Sequence, residues 1–309
     1  MEKHEQPLWC IGLDRRKFIA SATRAAGAAV LLSSPLMSFA GMSSADTKDI
    51  TVGEIMDAFI SEVAGAPFST TVDTLKAGNR EIKVTGIVTS MFATLEVIQK
   101  AIASGANFII AHEPTFYNHL DETKWLEEDE VYRHKAALLD KHKIAVWRNH
   151  DYIHQHRPDG VISTVVSKLG WTSHYTSENS TAIIPAISLK ALIQHTKEKL
   201  GIDMVRYIGD PAQSCRKILL IPGAAGGRTQ IRAISKVKPD SLLCGEIQEW
   251  ETAEYVRDAR AKGQNISLVV LGHIVSEEPG SEYMADWLRK KIPGMKVTHI
   301  PSGNSLSFL

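Results

Sequence analysis

From residue 51 to its end the chain alternates short apolar runs with amphipathic helical patterns, and few folds accommodate that rhythm. Thr51-Val52-Gly53-Glu54 has the form of a capping box, and Ile55, Phe59, Ile60 and Val63 follow at helical spacing. A strand is then expected over 82–88, a helix from Thr94 that Gly105 stops, and a buried strand over 107–111. The pattern continues with a helix over 127–142, a strand over 144–147 and a helix over 158–169. Further strands fall at 217–221, 241–244 and 267–271, the last followed by a helix from Pro279. Strands separated by helices predict an α/β fold with a parallel or mixed sheet. A less regular section, 171–211, divides the pattern into halves, each closing an apolar strand on a histidine: Phe108-Ile109-Ile110-Ala111-His112 and Leu268-Val269-Val270-Leu271-Gly272-His273. Two similar lobes are therefore expected.

Residues 1–40 stand apart from this pattern. Adjacent Arg15 and Arg16 precede a weakly apolar, Ala-rich stretch from Ile19 to Met37, which ends at Ser38-Phe39-Ala40. That is the form of a cleavable twin-arginine signal peptide. Ser21, Thr23, Arg24, Gly27, Ser33, Ser34 and Pro35 interrupt the run, leaving too few clean apolar residues for a membrane span. The expectation is an exported, periplasmic protein with no stable membrane insertion, a linker over 41–50 and a folded domain over 51–309. Charge narrows the partners: 35 Lys+Arg balance 35 Asp+Glu, with no block of five like charges, so the chain lacks the electrostatic footprint of a nucleic-acid binder. A small-molecule substrate is the expected partner. Cys10 leaves with the signal, and Cys215 and Cys244 could form one disulfide in an oxidising compartment if their thiols meet.

Ligands of open α/β sheets collect at the carboxyl ends of strands, where loops converge. Three histidine-bearing segments fall at such ends. Ala111-His112-Glu113-Pro114 sets two ligand-type side chains side by side, with Pro114 forcing an extended exit. Arg148-Asn149-His150-Asp151-Tyr152-Ile153-His154 spaces His150 and His154 four residues apart. Gly272-His273-Ile274-Val275-Ser276-Glu277 repeats the four-residue step, which on a helical turn puts both groups on one face. Neutral imidazoles with a carboxylate able to bridge two cations suit a pair of divalent transition metals better than calcium. His119 is the nearest further candidate. Gly223-Ala224-Ala225-Gly226-Gly227 lacks the lysine of a phosphate loop and is expected to be a tight turn. Glu246, at another strand end, could move a proton, orient a ligand histidine, or cap the helix starting near Trp250.

In this order the segments resemble the Nif-three-like dinuclear metal-centre family, whose members are commonly called type-two GTP cyclohydrolase homologues. The resemblance rests on an aspartate- and threonine-bearing stretch after the first helix, Ala93 to Ile98, Gly105 to Pro114, the Gly226-Gly227 turn, Gly245-Glu246-Ile247, and Gly272-His273 with Ser276-Glu277. It implies a pair of α/β lobes with two divalent transition-metal ions (zinc, iron, manganese or similar) between them, and a homohexameric toroid. Carried over position by position, His112 and Glu113 match the family's paired histidines, His154 its aspartate ligand, and His273 and Glu277 its closing pair. Glu113 stands where a second histidine is usual and His154 where aspartate is usual, an exchange that keeps the net ligand charge. His150 and Asp151 are the alternates if the loop is shifted.

The function this implies is a metal-dependent hydrolase. The metal pair would acidify a bridging water, and the resulting hydroxide would attack a phosphoryl or acyl centre while Glu246 or His150 moves the proton. The alternative is a non-catalytic metal-binding protein or hexameric scaffold, in which protein ligands saturate the metals.

Overall fold

The computed structural model describes residues 50–307. The expected export signal and nearly all of the linker lie outside the described residues. The elements run α1 (Val52–Ile60), β1 (Leu75–Ala77), β2 (Ile87–Ser90), α2 (Leu95–Ser104), β3 (Phe108–Ala111), α3 (Glu130–Lys141), β4 (Ala145–Arg148), α4 (Asp151–Gln155) and α5 (Gly160–Lys168). There follow β5 (Tyr175–Thr176), β6 (Thr181–Ser188), α6 (Leu189–Leu200), β7 (Arg206–Ile208), β8 (Ser214–Ile221), α7 (Gly227–Val237), β9 (Ser241–Cys244), α8 (Glu254–Ala261), β10 (Ser267–Val270), α9 (His273–Lys291) and β11 (Val297–His299).

These strands form two mixed sheets flanked by helices. The first has the order β1-β4-β3-β2-β11, parallel except for β1, which runs antiparallel to β4. The second has the order β5-β6-β8-β9-β10-β7, with β8, β9 and β10 parallel and antiparallel strands at both edges. The unbroken apolar runs in the central strands follow from burial on both faces. Ile87, Phe108, Ile110 and Trp147 pack into one apolar layer, while Val88, Ile109 and Val146 pack into the layer on the other face. In the second sheet Leu220, Leu243 and Val269 face one layer, and Leu219, Leu242 and Leu268 the other. Each such side chain stabilises the fold by about 1.5–3 kcal/mol relative to exposure.

Local signals set several boundaries as the sequence predicts. Thr51 and Glu54 form the reciprocal capping box of α1. Thr94 accepts from Val97 N–H to start α2, and Gly105 ends it in the left-handed conformation. The expected helix over 127–142 begins later, at Glu130, because the Asp129 carboxylate caps it by accepting from Tyr132 N–H. The expected strand over 82–88 shifts along the chain: β2 begins at Ile87 and continues to Ser90, and Lys83 makes an isolated bridge with Thr51 before it.

Two expectations change more substantially. The section read as less regular, 171–211, carries β5, β6, α6 and β7, which supply both edges of the second sheet. Pro185 inside β6 hides its strand pattern, and the pairing of β6 with β8 shifts register around it, between Ile183 and Ile187. The helix expected from Pro279 starts six residues earlier, at His273, and contains the proline. Pro279 favours a first-turn reading because it lacks an N–H, yet its place in the seventh position costs α9 only one internal hydrogen bond. Gly280 then lets α9 approach α5 closely, since a Cβ there would sit 2.6 Å from Val161 Cγ2. Leaving the end of β10, α9 reaches the core of the first sheet through Met284, Trp287 and Leu288, and β11 completes that sheet.

Candidate metal centre

The carboxyl ends of parallel strands from both sheets supply the site. β3 ends at His112 and Glu113, β4 at His150 with His154 one helical turn on, and β10 at His273 with Glu277 one turn into α9. The four-residue steps place side chains together: the rings of His150 and His154 lie 5.1 Å apart, and His273 Nε2 lies 3.1 Å from Glu277 Oε2. His112 occupies the middle, with ring centroids 4.8 Å from His150 and 5.2 Å from His154. Its Nε2 is 3.7 Å from Glu277 Oε2. Glu113 Oε1 joins His273 Nε2 at 3.3 Å and His150 Nε2 at 3.7 Å.

Two sets of ligand atoms fall within 4.8 Å of one another and share one member: His112, His150 and His154, and His112, Glu113 and Glu277. Each imidazole of the first set is held by its other nitrogen. His112 Nδ1–H donates to the Asn149 carbonyl at 3.2 Å, His150 Nδ1–H to Asp151 at 3.0 Å and His154 Nδ1–H to Asp159 at 3.1 Å. Such outer partners fix the tautomer and leave Nε2 as a lone-pair donor, the arrangement that metal-binding histidines use. His112 Nε2 is buried and has no hydrogen-bond partner. A buried lone pair of that kind fits a cation.

Electrostatics favours the same occupant. Glu113 and Glu277 are buried together, which requires compensating positive charge. Burial alone would raise the Glu113 carboxyl, but the hydrogen bond to His273 and the charges of His112, His150 and His273 hold it down at about 2. His273 is desolvated, yet Glu113, Glu246 and Glu277 raise it to about 12. His154, likewise desolvated, is raised to about 9, chiefly by Asp159. Burial lowers His150 to about 4, against the upward pull of Asp151. Protonated imidazoles thus balance the carboxylates, and divalent ions would supply that charge while releasing the protons.

The model of the Duf34/NIF3 (NGG1p interacting factor 3) family matches residues 55–305. This chain belongs to the NIF3 family. A GTP cyclohydrolase 1 type 2 homolog of Clostridium acetobutylicum is 25% identical over 232 residues, covering 71% of this chain and 81% of the relative. The counterpart from Clostridium perfringens is also 25% identical, over 216 residues, covering 66% and 78%. Among solved structures, a Bacillus cereus protein related to NIF3 aligns with a TM-score of 0.68 at 15% identity, covering 85% of this chain and 99% of that one. Staphylococcus aureus protein SA1388 aligns with a TM-score of 0.66 at 19% identity, covering 84% and 99%. These two likenesses concern the fold.

In this NIF3 chain all five residues expected as ligands converge: His112, Glu113, His154, His273 and Glu277. His150, expected as a proton carrier or alternate ligand, stands within the histidine group. Asp151 takes a supporting place: one oxygen holds His150, and the other accepts from Thr71 Oγ1 and Val72 N–H. Glu246 sits at the half-exposed rim with Oε2 3.6 Å from His273 Nδ1. His119 packs edge-on to His150 at 6.4 Å between ring centroids and lies outside both ligand sets.

Sequence reasoning alone does not reach three supporting residues. Arg148 is fully buried, with Nη2 3.4 Å from Glu113 Oε2 and Nη1 3.6 Å from Asp121 Oδ2. Asp73 accepts from His150 N–H at 2.8 Å and Tyr152 N–H at 2.7 Å, pinning the start of α4. Asp159 orients His154 while its second oxygen caps α5. The available signals were an arginine ending a fully apolar strand and the aspartate of the 70–74 stretch. The Gly223 turn also proves to be more than a connection: Gly223 N–H donates to Ser276 Oγ at 3.0 Å, tying it to the first turn of α9.

Proposed function

We propose that this NIF3 protein is a metal-dependent hydrolase with a dinuclear divalent centre, which works on a small molecule after export and assembles as a homohexamer. The carrying observation is the arrangement of His112, His150 and His154, each pinned through Nδ1 with Nε2 free, beside buried Glu113 and Glu277. His112 is common to both ligand sets, as expected of neighbouring ion positions. Bound there, two ions supply Lewis acidity and lower the pKa of water enough for attack at neutral pH.

The protein's own groups carry the rest. Arg148 and Asp73 fix Glu113 and the α4 turn, so the ligands are organised before any ion arrives. Because His150 lies among the ligands, we give the proton transfer to Glu246, whose half-exposed carboxylate stands beside His273 at the solvent edge. The export step rests on Arg15-Arg16 and the stretch after it, and the hexamer on family resemblance.

The test is hydrolysis of a panel of phosphate monoesters and carboxylic esters by protein loaded with zinc, manganese or iron. Turnover that disappears on chelation and in Glu277→Gln supports the proposal. Full metal loading without turnover on any member, together with an ion fully coordinated by protein, favours a metal-binding scaffold and overturns the hydrolase.

A further inference from the structure

A cavity of about 770 Å³ opens directly against the candidate metal centre, with Glu113 and His273 in its wall. Its lining includes apolar Phe92, Leu95 and Ile274 and polar Thr115, Tyr117 and Lys135. Lys135 is only 4% exposed, an unusual setting for an ammonium. Nζ donates to the Thr115 carbonyl at 2.7 Å and lies 5.8 Å and 5.2 Å from the ring centroids of Phe116 and Tyr117. None of the ion pairs among the described residues involves it, although the Asp121 carboxylate, paired with Lys76 and Arg148, acts on its charge from nearby. Beside it, Thr115 Oγ1 is buried and has no hydrogen-bond partner. Tyr117, half-exposed in the same lining, adopts a left-handed backbone (φ 61°), a costly conformation for a bulky residue that clusters at ligand-handling positions.

We infer that this cavity is the substrate pocket, and that it takes a small molecule with a ring-sized apolar body and one anionic group, carboxylate or phosphate, bound by Lys135 and Thr115. The inference rests on the hydrolase reading for what happens next, since the bond to be cut would lie toward Glu113 and His273. An ammonium with two spare N–H groups and a hydroxyl free to donate supply the donor set for an anion, and burial strengthens each bond. The apolar lining accepts the body of the molecule, so neutral and purely ionic compounds each satisfy half of the pocket.

The experiment is calorimetric titration of full-length protein, chelator-treated and metal-loaded, with phenyl phosphate, benzoate and neutral benzyl alcohol. Both anions should bind the chelator-treated protein more tightly than the alcohol. Lys135→Met should weaken both anions about tenfold or more, and Lys135→Arg should recover part of the loss. Thr115→Val, nearly the same shape, should weaken them by a smaller factor while leaving the melting temperature close to wild type; it serves as the test if Lys135→Met does not fold. Anion binding unchanged in a folded Lys135→Met, or in Thr115→Val if that is the only folded variant, overturns the inference. So does anion binding that appears only with metal and ignores Lys135, an outcome that leaves the hydrolase reading standing. Lys135-dependent binding by a protein that takes up no metal supports the pocket and overturns the hydrolase.

Discussion

Gly223 and Glu277 are packed so closely that a Cβ at position 223 would stand 2.2 Å from Glu277 Oε1. The absence of a side chain at the end of β8 is what allows the first turn of α9 to settle over the second sheet and deliver its carboxylate. Gly223 also holds φ at +67°, so a substitution strains the backbone as well. Gly223→Ala is expected to displace Glu277 and lower metal content at unchanged secondary structure, read by elemental analysis beside circular dichroism. Wild-type metal content in Gly223→Ala would mean that Glu277 is not needed as a ligand.

Asp159 separates the roles of structure and ligand support. One oxygen accepts from Val161 N–H and Ile162 N–H at the start of α5, and the other holds His154 Nδ1. Asp159→Asn can keep the cap but turns an N–H toward His154, forcing the imidazole proton onto Nε2. Metal affinity should fall about ten- to a hundredfold with little change in melting temperature. Asp159→Ala should add a stability loss of about 1 kcal/mol for the missing cap. Equal affinities in wild type and Asp159→Asn, measured by competition with a chromophoric chelator, would remove His154 from the ligand set.

The central strands of both sheets, and the histidine-bearing segments that meet at their carboxyl ends, could be read from the chain. His112, Glu113, His273 and Glu277 follow directly from apolar strands that end on ligand-type residues, because carboxyl ends of strands converge. Arg148 escaped because its burial depends on Glu113 and Asp121 arriving from elsewhere, a tertiary fact that no local pattern records. The section 171–211 escaped for a different reason. Its strands lie at or beside the edges of the second sheet, where one-sided burial, a proline and a register shift erase the continuous apolar run. α9 was cut short since a proline ordinarily marks the beginning of a helix, and the packing of α9 against α5 and the first sheet outweighs the lost bond.

Acid stability depends partly on Glu62. Burial would raise its pKa, but hydrogen bonds from Lys291, Trp287 and His156 bring it below its ordinary value of 4.5. A carboxyl depressed in the folded state contributes stability that is present above pH 4.5 and is lost as pH falls through the folded pKa. Glu62 is partly exposed, so the effect is modest. Glu62→Gln is expected to lose about 1 kcal/mol at pH 7 in thermal melts, and the gap from wild type should narrow below pH 4.5. A gap that widens in acid would contradict this assignment.

Cys215 and Cys244 are both free and buried. They sit on neighbouring strands, but the register pairs Ile221 with Cys244 and Ile218 with Ser241, which leaves Cys215 at the far end of β8. The disulfide considered from the sequence is therefore absent, and burial pushes the Cys244 thiol up to about 12. Ellman's reagent should find neither sheet thiol in the folded protein and both after denaturation without reductant. Their failure to appear after denaturation would indicate a bond between them.

We propose that His112 stands between two ion positions closed by Glu113, His150, His154, His273 and Glu277, an arrangement open to direct test. Its most direct test is elemental analysis of the chain purified without a histidine tag, beside His112→Ala, His273→Ala and Glu277→Ala. About two divalent ions per chain are expected in the wild type, with His112→Ala, which removes the shared ligand, losing both. A folded wild-type protein that takes up no zinc, iron or manganese when offered each would contradict it.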